Sequence, residues 1–157
     1  MKRKKELITL SWEHHDGLVF AFRLQQGVKK SAPLKDMREY ILHTWDTALD
    51  HHFWQEEQSL NPVLQASGAG RELLNHMLDD HEYFRREIEH FRVTKNPDRD
   101  RIKTISEKLN QHIRFEEQIL FPFLEEEIAL ATLQKIGVFL NEHHTKPDRC
   151  WTSMFWK

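Results

Sequence analysis

The chain has 157 residues, enough to bury the core of one domain. Charged residues make up 31% of it and nearly cancel, leaving a formal net charge of -2, which excludes a general basic nucleic-acid binder. The single cysteine, Cys150, excludes an internal disulfide and points to a reducing compartment.

The basic run Lys2-Arg3-Lys4-Lys5 is followed by an apolar stretch of only Leu7 to Leu10, too short for a secretory h-region. No segment approaches the roughly 20 apolar residues of a membrane span. The expectation is a soluble cytoplasmic protein with neither a membrane nor a nucleic acid as partner. The first predicted helix covers about residues 7–28, ending near Gly27, and Leu7, Leu10, His14, Gly17, Ala21, Leu24 and Val28 follow its three-and-four spacing. The second covers about 33–60, with Ser31 as its cap and Pro33 in its first turn. Its stripe runs through Leu34, Ile41, Trp45, Ala48 and His52, is interrupted by Arg38, and has Glu56 one turn past His52.

A third helix is expected over about 70–93, after the turn Ser67-Gly68-Ala69-Gly70, with a seam of Leu74, Met77, His81, Phe84, Ile88 and Phe91. A fourth covers about 98–121, its seam being Ile102, Ile105, Leu109, His112, Glu116, Ile119 and Phe123. A fifth covers about 126–142, followed by an aromatic tail of Trp151, Phe155 and Trp156 that either covers the bundle or enters a homodimer interface. Short connections make successive helices antiparallel neighbours. The predicted fold is all-α: a single domain over 1–157, with an up-down-up-down four-helix bundle over about 7–126 and the additional C-terminal helix outside it.

Each of the four main seams carries one histidine, and two of them are followed four residues later by a glutamate, as His52–Glu56 and His112–Glu116. Four residues advance a helix by about 6 Å and only about 40°, so each pair shares a face. Burying such groups costs several kcal/mol unless something coordinates them. At about 1.5 Å per residue, all four histidines sit roughly 12–17 Å from one end of an antiparallel bundle. The candidate metal ligands are therefore His14, His52, Glu56, His81, His112 and Glu116. Six donors exceed one closed tetrahedral zinc site. They suit two ions of iron, manganese, cobalt or zinc, bridged by Glu56 and Glu116 and capped by the imidazoles, with positions open to a small ligand such as dioxygen, nitric oxide, peroxide or water.

Four fragments carry a family resemblance: LSWEHH at 10–15, HFWQEE at 52–57, LDDHEYF at 78–84 and HIRFEEQILFP at 112–122. Over about residues 7–126 the chain resembles the hemerythrin-like, HHE cation-binding domain. The resemblance implies a four-helix bundle around a non-haem di-iron centre, with His14, His52, His81 and His112 as terminal ligands and Glu56 and Glu116 as bridges. Two departures separate it from the oxygen-carrying members. Arg85 stands where they place a second histidine on the third helix, and His112 is followed by a glutamate at four residues rather than an aspartate at five. The implied function is binding or sensing of dioxygen, nitric oxide or iron rather than oxygen storage. The alternatives are a di-iron redox enzyme acting on a small oxidant, an iron donor for repair of iron centres, and an interaction module with a zinc-filled or empty core. No nucleophile with a partnering base and no phosphate loop is evident, which weighs against catalysis on an organic substrate.

His43, His51, His76 and His90 are expected outside the site; His15 is expected behind the ligands or in solvent, with replacement of His14 as the ligand as the alternative; His143 and His144 near Cys150 are not expected to form a second site. Glu57 and Glu117 sit about 100° from the proposed ligands and read as a solvated face, with support of the ligands from outside as the alternative, while Arg85 reads as part of a surface ion pair, with reach to the edge of the site as the alternative. Trp12, Phe20, Phe22, Trp45 and Trp54 read as packing residues.

Overall fold

A computed structural model describes residues 2–146 and 151–157; the expectations that fall on Pro147 and Cys150 lie outside them. All regular elements among the described residues are helical: α1 (Ile8–Lys29), α2 (Leu34–Thr44), a π-helical turn π1 (Trp45–Leu49), α3 (Asp50–Leu64), α4 (Gly68–Val93), α5 (Arg99–Phe115), a second turn π2 (Glu116–Leu120), α6 (Phe121–Glu127) and α7 (Leu130–His143). The segments α2–π1–α3 and α5–π2–α6 are each one continuous rod, so five rods correspond to the five predicted helices.

Local chemistry explains several of the ends. The Ser67 side chain accepts from the Gly70 N–H at the start of α4, and Asp98 accepts from the Asp100 N–H at the start of α5. Ser31 does not cap α2 as expected. It takes a left-handed φ of 55° just after α1, and α2 instead begins after Pro33, whose φ of -58° suits a helix entry. The fourth rod runs on to Glu127, so the fifth starts at Leu130, four residues later than predicted.

The two π turns correct the predicted seams. A π turn adds one residue to the ladder and shifts the register by about 100°. In the fourth rod the Phe121 N–H donates to the Glu116 carbonyl, five residues back. Pro122 lies one residue further on, where a regular helix would need an N–H to reach the Gln118 carbonyl and would press its ring against that group. The buried stripe accordingly passes from Glu116 to Leu120, Phe121 and Leu124, while Ile119 is 53% exposed and Phe123 only half-buried. In the second rod the Asp50 N–H reaches the Trp45 carbonyl. Met37, Tyr40, Ile41 and Trp45 are buried before that turn, and His52, Phe53, Glu56 and Leu60 after it, while Leu34 and Ala48 are only partly buried. No single 3.6-residue stripe can describe such a rod.

The apolar interior forms two clusters. One holds Ala21, Leu24, Ile41, Phe53, Phe84, Ile88, Ile105 and Ile113. The other holds Leu7, Leu10, Leu60, Leu64, Leu74, Met77, Phe115, Leu120 and Leu124. On each of the first four rods the candidate ligands lie between residues of the two clusters. The polar layer thereby has hydrocarbon above and below it along the rods.

The C-terminal region adds a further cover. Helix α7 packs on α3 and α1 and buries Leu133, Ile136, Gly137 and Leu140. The tail turns its aromatic rings onto Tyr40, with centroids of Trp151, Phe155 and Trp156 at 5.4, 5.3 and 5.7 Å. Gly27 makes this seat possible, because a Cβ there would lie 2.7 Å from Phe155 Cδ1 and 2.8 Å from Met37 Sδ. No helix among the described residues is long and apolar enough to cross a membrane.

Candidate metal centre

The structure brings all six predicted residues together. His14 comes from α1, His52 and Glu56 from α3, His81 from α4, His112 from α5, and Glu116 opens π2. Glu56, His81 and Glu116 are 0% exposed, and His14, His52 and His112 no more than 5%. Two groups form, His14–His52–Glu56–Glu116 and Glu56–His81–His112–Glu116, each with one donor atom per residue and all of those within 4.8 Å of one another. Both groups contain Glu56 and Glu116.

The inward atoms are poorly satisfied by protein. His14 Nε2 lies 2.9 Å from Glu116 Oε1. The Nε2 atoms of His52, His81 and His112 have no hydrogen-bond partner although buried, and the same is true of both Glu56 oxygens and Glu116 Oε2. Leaving that many polar atoms unmatched in a core is costly, about 1–3 kcal/mol apiece. Imidazole nitrogens and carboxylate oxygens aimed at common points are the donor set of a borderline transition metal. The residues present therefore fit a pair of cations.

The outward side of each imidazole is tied down in a repeating way. His14 Nδ1 donates to Glu117 at 2.6 Å, His52 Nδ1 to Glu13 at 2.7 Å, His81 Nδ1 to Glu57 at 2.6 Å and His112 Nδ1 to Asp80 at 2.9 Å. Each carboxylate sits on a different rod from its histidine, so the first four rods are linked in a closed ring: first to second, second to third, third to fourth, fourth to first. Each carboxylate has further partners. Glu117 accepts from Ser11 and Arg3, Glu13 from Gln55 and His144, and Glu57 from both terminal nitrogens of Arg85. Asp80 lies 3.3 Å from Lys108 Nζ. A carboxylate accepting from Nδ1 turns Nε2 inward, and the neutral ring then offers its Nε2 lone pair there, which is how metal-binding histidines are usually oriented. Ring packing adds to this: Phe53 stacks on His81 at 4.0 Å and Phe121 on His14 at 5.3 Å.

Burial opposes charge on these imidazoles, but the carboxylates outweigh it. His52 is held at about 9 by Glu56 and the Glu13 bond, and His112 at about 10 by Glu116 and the Asp80 bond. His14 and His81 are raised by the same balance, His14 strongly. Burial pushes Glu56 up, yet the imidazolium charges around it hold the carboxyl well below its usual range. Glu13, Glu57, Asp80 and Glu117 are likewise lowered by their histidines against the effect of burial. The carboxylates thus draw positive charge into the layer, as protons on the imidazoles or as cations in their place.

Glu57 and Glu117 leave the solvated face preferred for them and take the alternative role, holding His81 and His14 from outside. Glu13 and Asp80 were not anticipated in any role. A signal for them does exist: each lies next to a candidate ligand, in the pairs Glu13-His14, Glu56-Glu57, Asp80-His81 and Glu116-Glu117. One residue's rotation of about 100° carries the side chain off the central seam and toward the adjacent rod. Arg85 is in an ion pair as expected, but its partner Glu57 holds His81, so the pair belongs to the centre. His15 and His76 are exposed and His51 bonds the His143 carbonyl; His144 joins the centre through Glu13 rather than forming one of its own.

Comparison with known proteins agrees with this geometry. No curated protein and no solved structure matches the chain. Among protein families, the hemerythrin HHE cation binding domain matches residues 7–124, the span that supplies all six central residues and the four carboxylates of the ring. The chain therefore belongs to the hemerythrin HHE cation-binding family.

Proposed function

We propose that this protein is a non-haem di-iron protein that binds or senses dioxygen, nitric oxide or iron. The observation that carries the reading is the set of buried, inward donor atoms without hydrogen-bond partners, divided into two groups that share Glu56 and Glu116. In this reading residues 1–157 form one domain. The order in which successive rods pass between the two apolar clusters supports an up-down-up-down bundle, with α7 laid outside.

His14 and His52 would cap one ion, His81 and His112 the other, and Glu56 and Glu116 would bridge them. Iron so held supplies open coordination positions and a change of oxidation state for a diatomic ligand. The protein's part is to keep the four Nε2 atoms aimed inward through the carboxylate ring, to exclude bulk water with the two apolar clusters, and to offset carboxylate charge with Arg3, Arg85 and Lys108. Manganese, cobalt or zinc could use the same donors; iron is preferred because of the family resemblance. The protein is taken to work in the cytoplasm.

The test is aerobic purification with iron, metal counting, and an optical spectrum with and without nitric oxide. The reading expects two irons per chain, an oxo-bridge band and a nitric-oxide-dependent change. It also expects His52→Ala and Glu116→Ala to lose the second iron. Unchanged stoichiometry in both variants would defeat the assignment.

A further inference from the structure

A cavity of about 270 Å³ opens beside the centre, between α1 and the second rod. One end is walled by His14, His52 and His112 and the other by Arg23 and Tyr40, while Glu13, Asp16, His43 and Thr47 also line the space. At about 1.5 Å per residue, Arg23 lies roughly 13 Å along α1 from His14, so the space is elongated. A molecule the size of water takes up about 30 Å³ of liquid. The cavity therefore has room for a body on the order of ten non-hydrogen atoms, far more than a diatomic needs.

The two ends differ in chemistry. Phe20, Leu49 and Trp151 give the passage an apolar wall, with Asp16, His43, Thr44 and Thr47 among its polar lining. At the end away from the histidines the Arg23 guanidinium donates to the Tyr40 hydroxyl at 3.3 Å and lies 4.2 Å over the Trp156 ring. A guanidinium carries five N–H donors in a planar fork suited to a carboxylate. Among the described residues no carboxylate forms an ion pair with Arg23. The Tyr40 phenol is raised by burial and stays a neutral donor beside it.

We propose that this cavity binds a small organic carboxylate of single-ring or short-chain size, its carboxylate held by Arg23 and Tyr40 and its apolar body lying against Phe20, Leu49 and Trp151 toward His14 and His52. The proposal rests on the di-iron reading only for what the inner end of the ligand meets. The anchor is metal-independent. No reaction is implied: the site gives the protein a second ligand whose occupancy the metal centre can feel.

The test is calorimetric titration of the full chain, iron-loaded and metal-free, with benzoate, phenylacetate and hexanoate. Benzyl alcohol is the neutral control. At least one carboxylate should bind with a dissociation constant below about a millimolar, and benzyl alcohol should bind roughly tenfold or more weakly, the worth of a charge-assisted pair. Arg23→Gln should weaken the carboxylate by a similar factor, and Arg23→Lys should restore part of it. Ala48→Phe, which fills the cavity from the second rod, should remove binding while iron content stays unchanged. Iron-loaded protein that binds none of the probes overturns the proposal and leaves the di-iron reading intact. Binding indifferent to both Arg23→Gln and Ala48→Phe also overturns it, because the ligand then sits elsewhere. Carboxylate binding by a protein that never takes up iron supports the cavity and sinks the metal reading instead.

Discussion

Replacing Asp80 by Ala removes the acceptor of the 2.9 Å His112 Nδ1 bond while leaving every candidate ligand in place. Asp80 is 5% exposed and His112 1%, so water has little room to substitute for the lost carboxylate. Loss of an outer partner of a metal-binding histidine typically weakens metal binding 10–100-fold. At about 1.36 kcal/mol per decade that is roughly 1.4–2.7 kcal/mol, and the burial here points to the upper half of the range. Asp80→Asn keeps an acceptor oxygen but not the charge, and it should cost less than about tenfold. Asp79→Ala, one residue away and exposed, is the control and should cost nothing measurable. The assay is competition between the protein and a chelator of known affinity for ferrous iron or cobalt, with helicity checked in each variant. Equal metal affinity for Asp80→Ala and Asp79→Ala, in folded proteins, would refute the role given to the carboxylate ring.

Iron uptake at pH 7 should release about two protons per chain from His52 and His112 alone, since these sit at about 9 and 10 before a cation replaces their protons; a pH-indicator titration reads this, and uptake without proton release would contradict it. The same raised imidazoles give a sign for metal-free stability: their contribution is full below about pH 6.5 and is lost as pH rises through 9 to 10, so apo unfolding midpoints should fall over that interval while iron-loaded ones hold. Gly70→Ala should destabilise the fold by about 1–3 kcal/mol, because a Cβ there would stand 2.3 Å from the Leu64 carbonyl oxygen; an unchanged urea midpoint would show that the α3–α4 connection yields easily. Leu64→Ala, at a fully buried position beside it, should cost about 2–5 kcal/mol by the same measurement.

The first and third seams were legible because their burial follows one period along nearly the whole helix, failing only at Val28, which is partly buried. Leu10, His14, Gly17, Ala21 and Leu24 on α1, and all six predicted positions from Leu74 to Phe91 on α4, are buried as expected. Histidine on such a stripe stands out because an imidazole there needs a partner, and two glutamates one turn from histidines supply the complement. The second and fourth rods were only half legible. Their π turns insert a residue that composition does not announce, and a fixed period then assigns Ile119 to a core it does not enter. Pro122 was a usable hint for the fourth rod; nothing in Trp45–Leu49 offers a comparable one. The carboxylate ring was missed for a geometric reason. Glu13, Glu57, Asp80 and Glu117 lie off the apolar stripe, so a one-helix view places them in solvent. Their partners become visible only when neighbouring rods are set side by side. The link from His144 to Glu13 lies beyond even that, since it depends on where α7 ends.

The central claim is that side chains of four helical rods hold two cations across a shared pair of glutamates. Its most direct test is an anomalous difference map from iron-loaded crystals, collected at the iron edge. The account predicts two peaks of comparable height, one against His14 and His52 and one against His81 and His112, with Glu56 and Glu116 touching both. One peak outside this layer, or no peak in protein shown to be iron-replete, would contradict it.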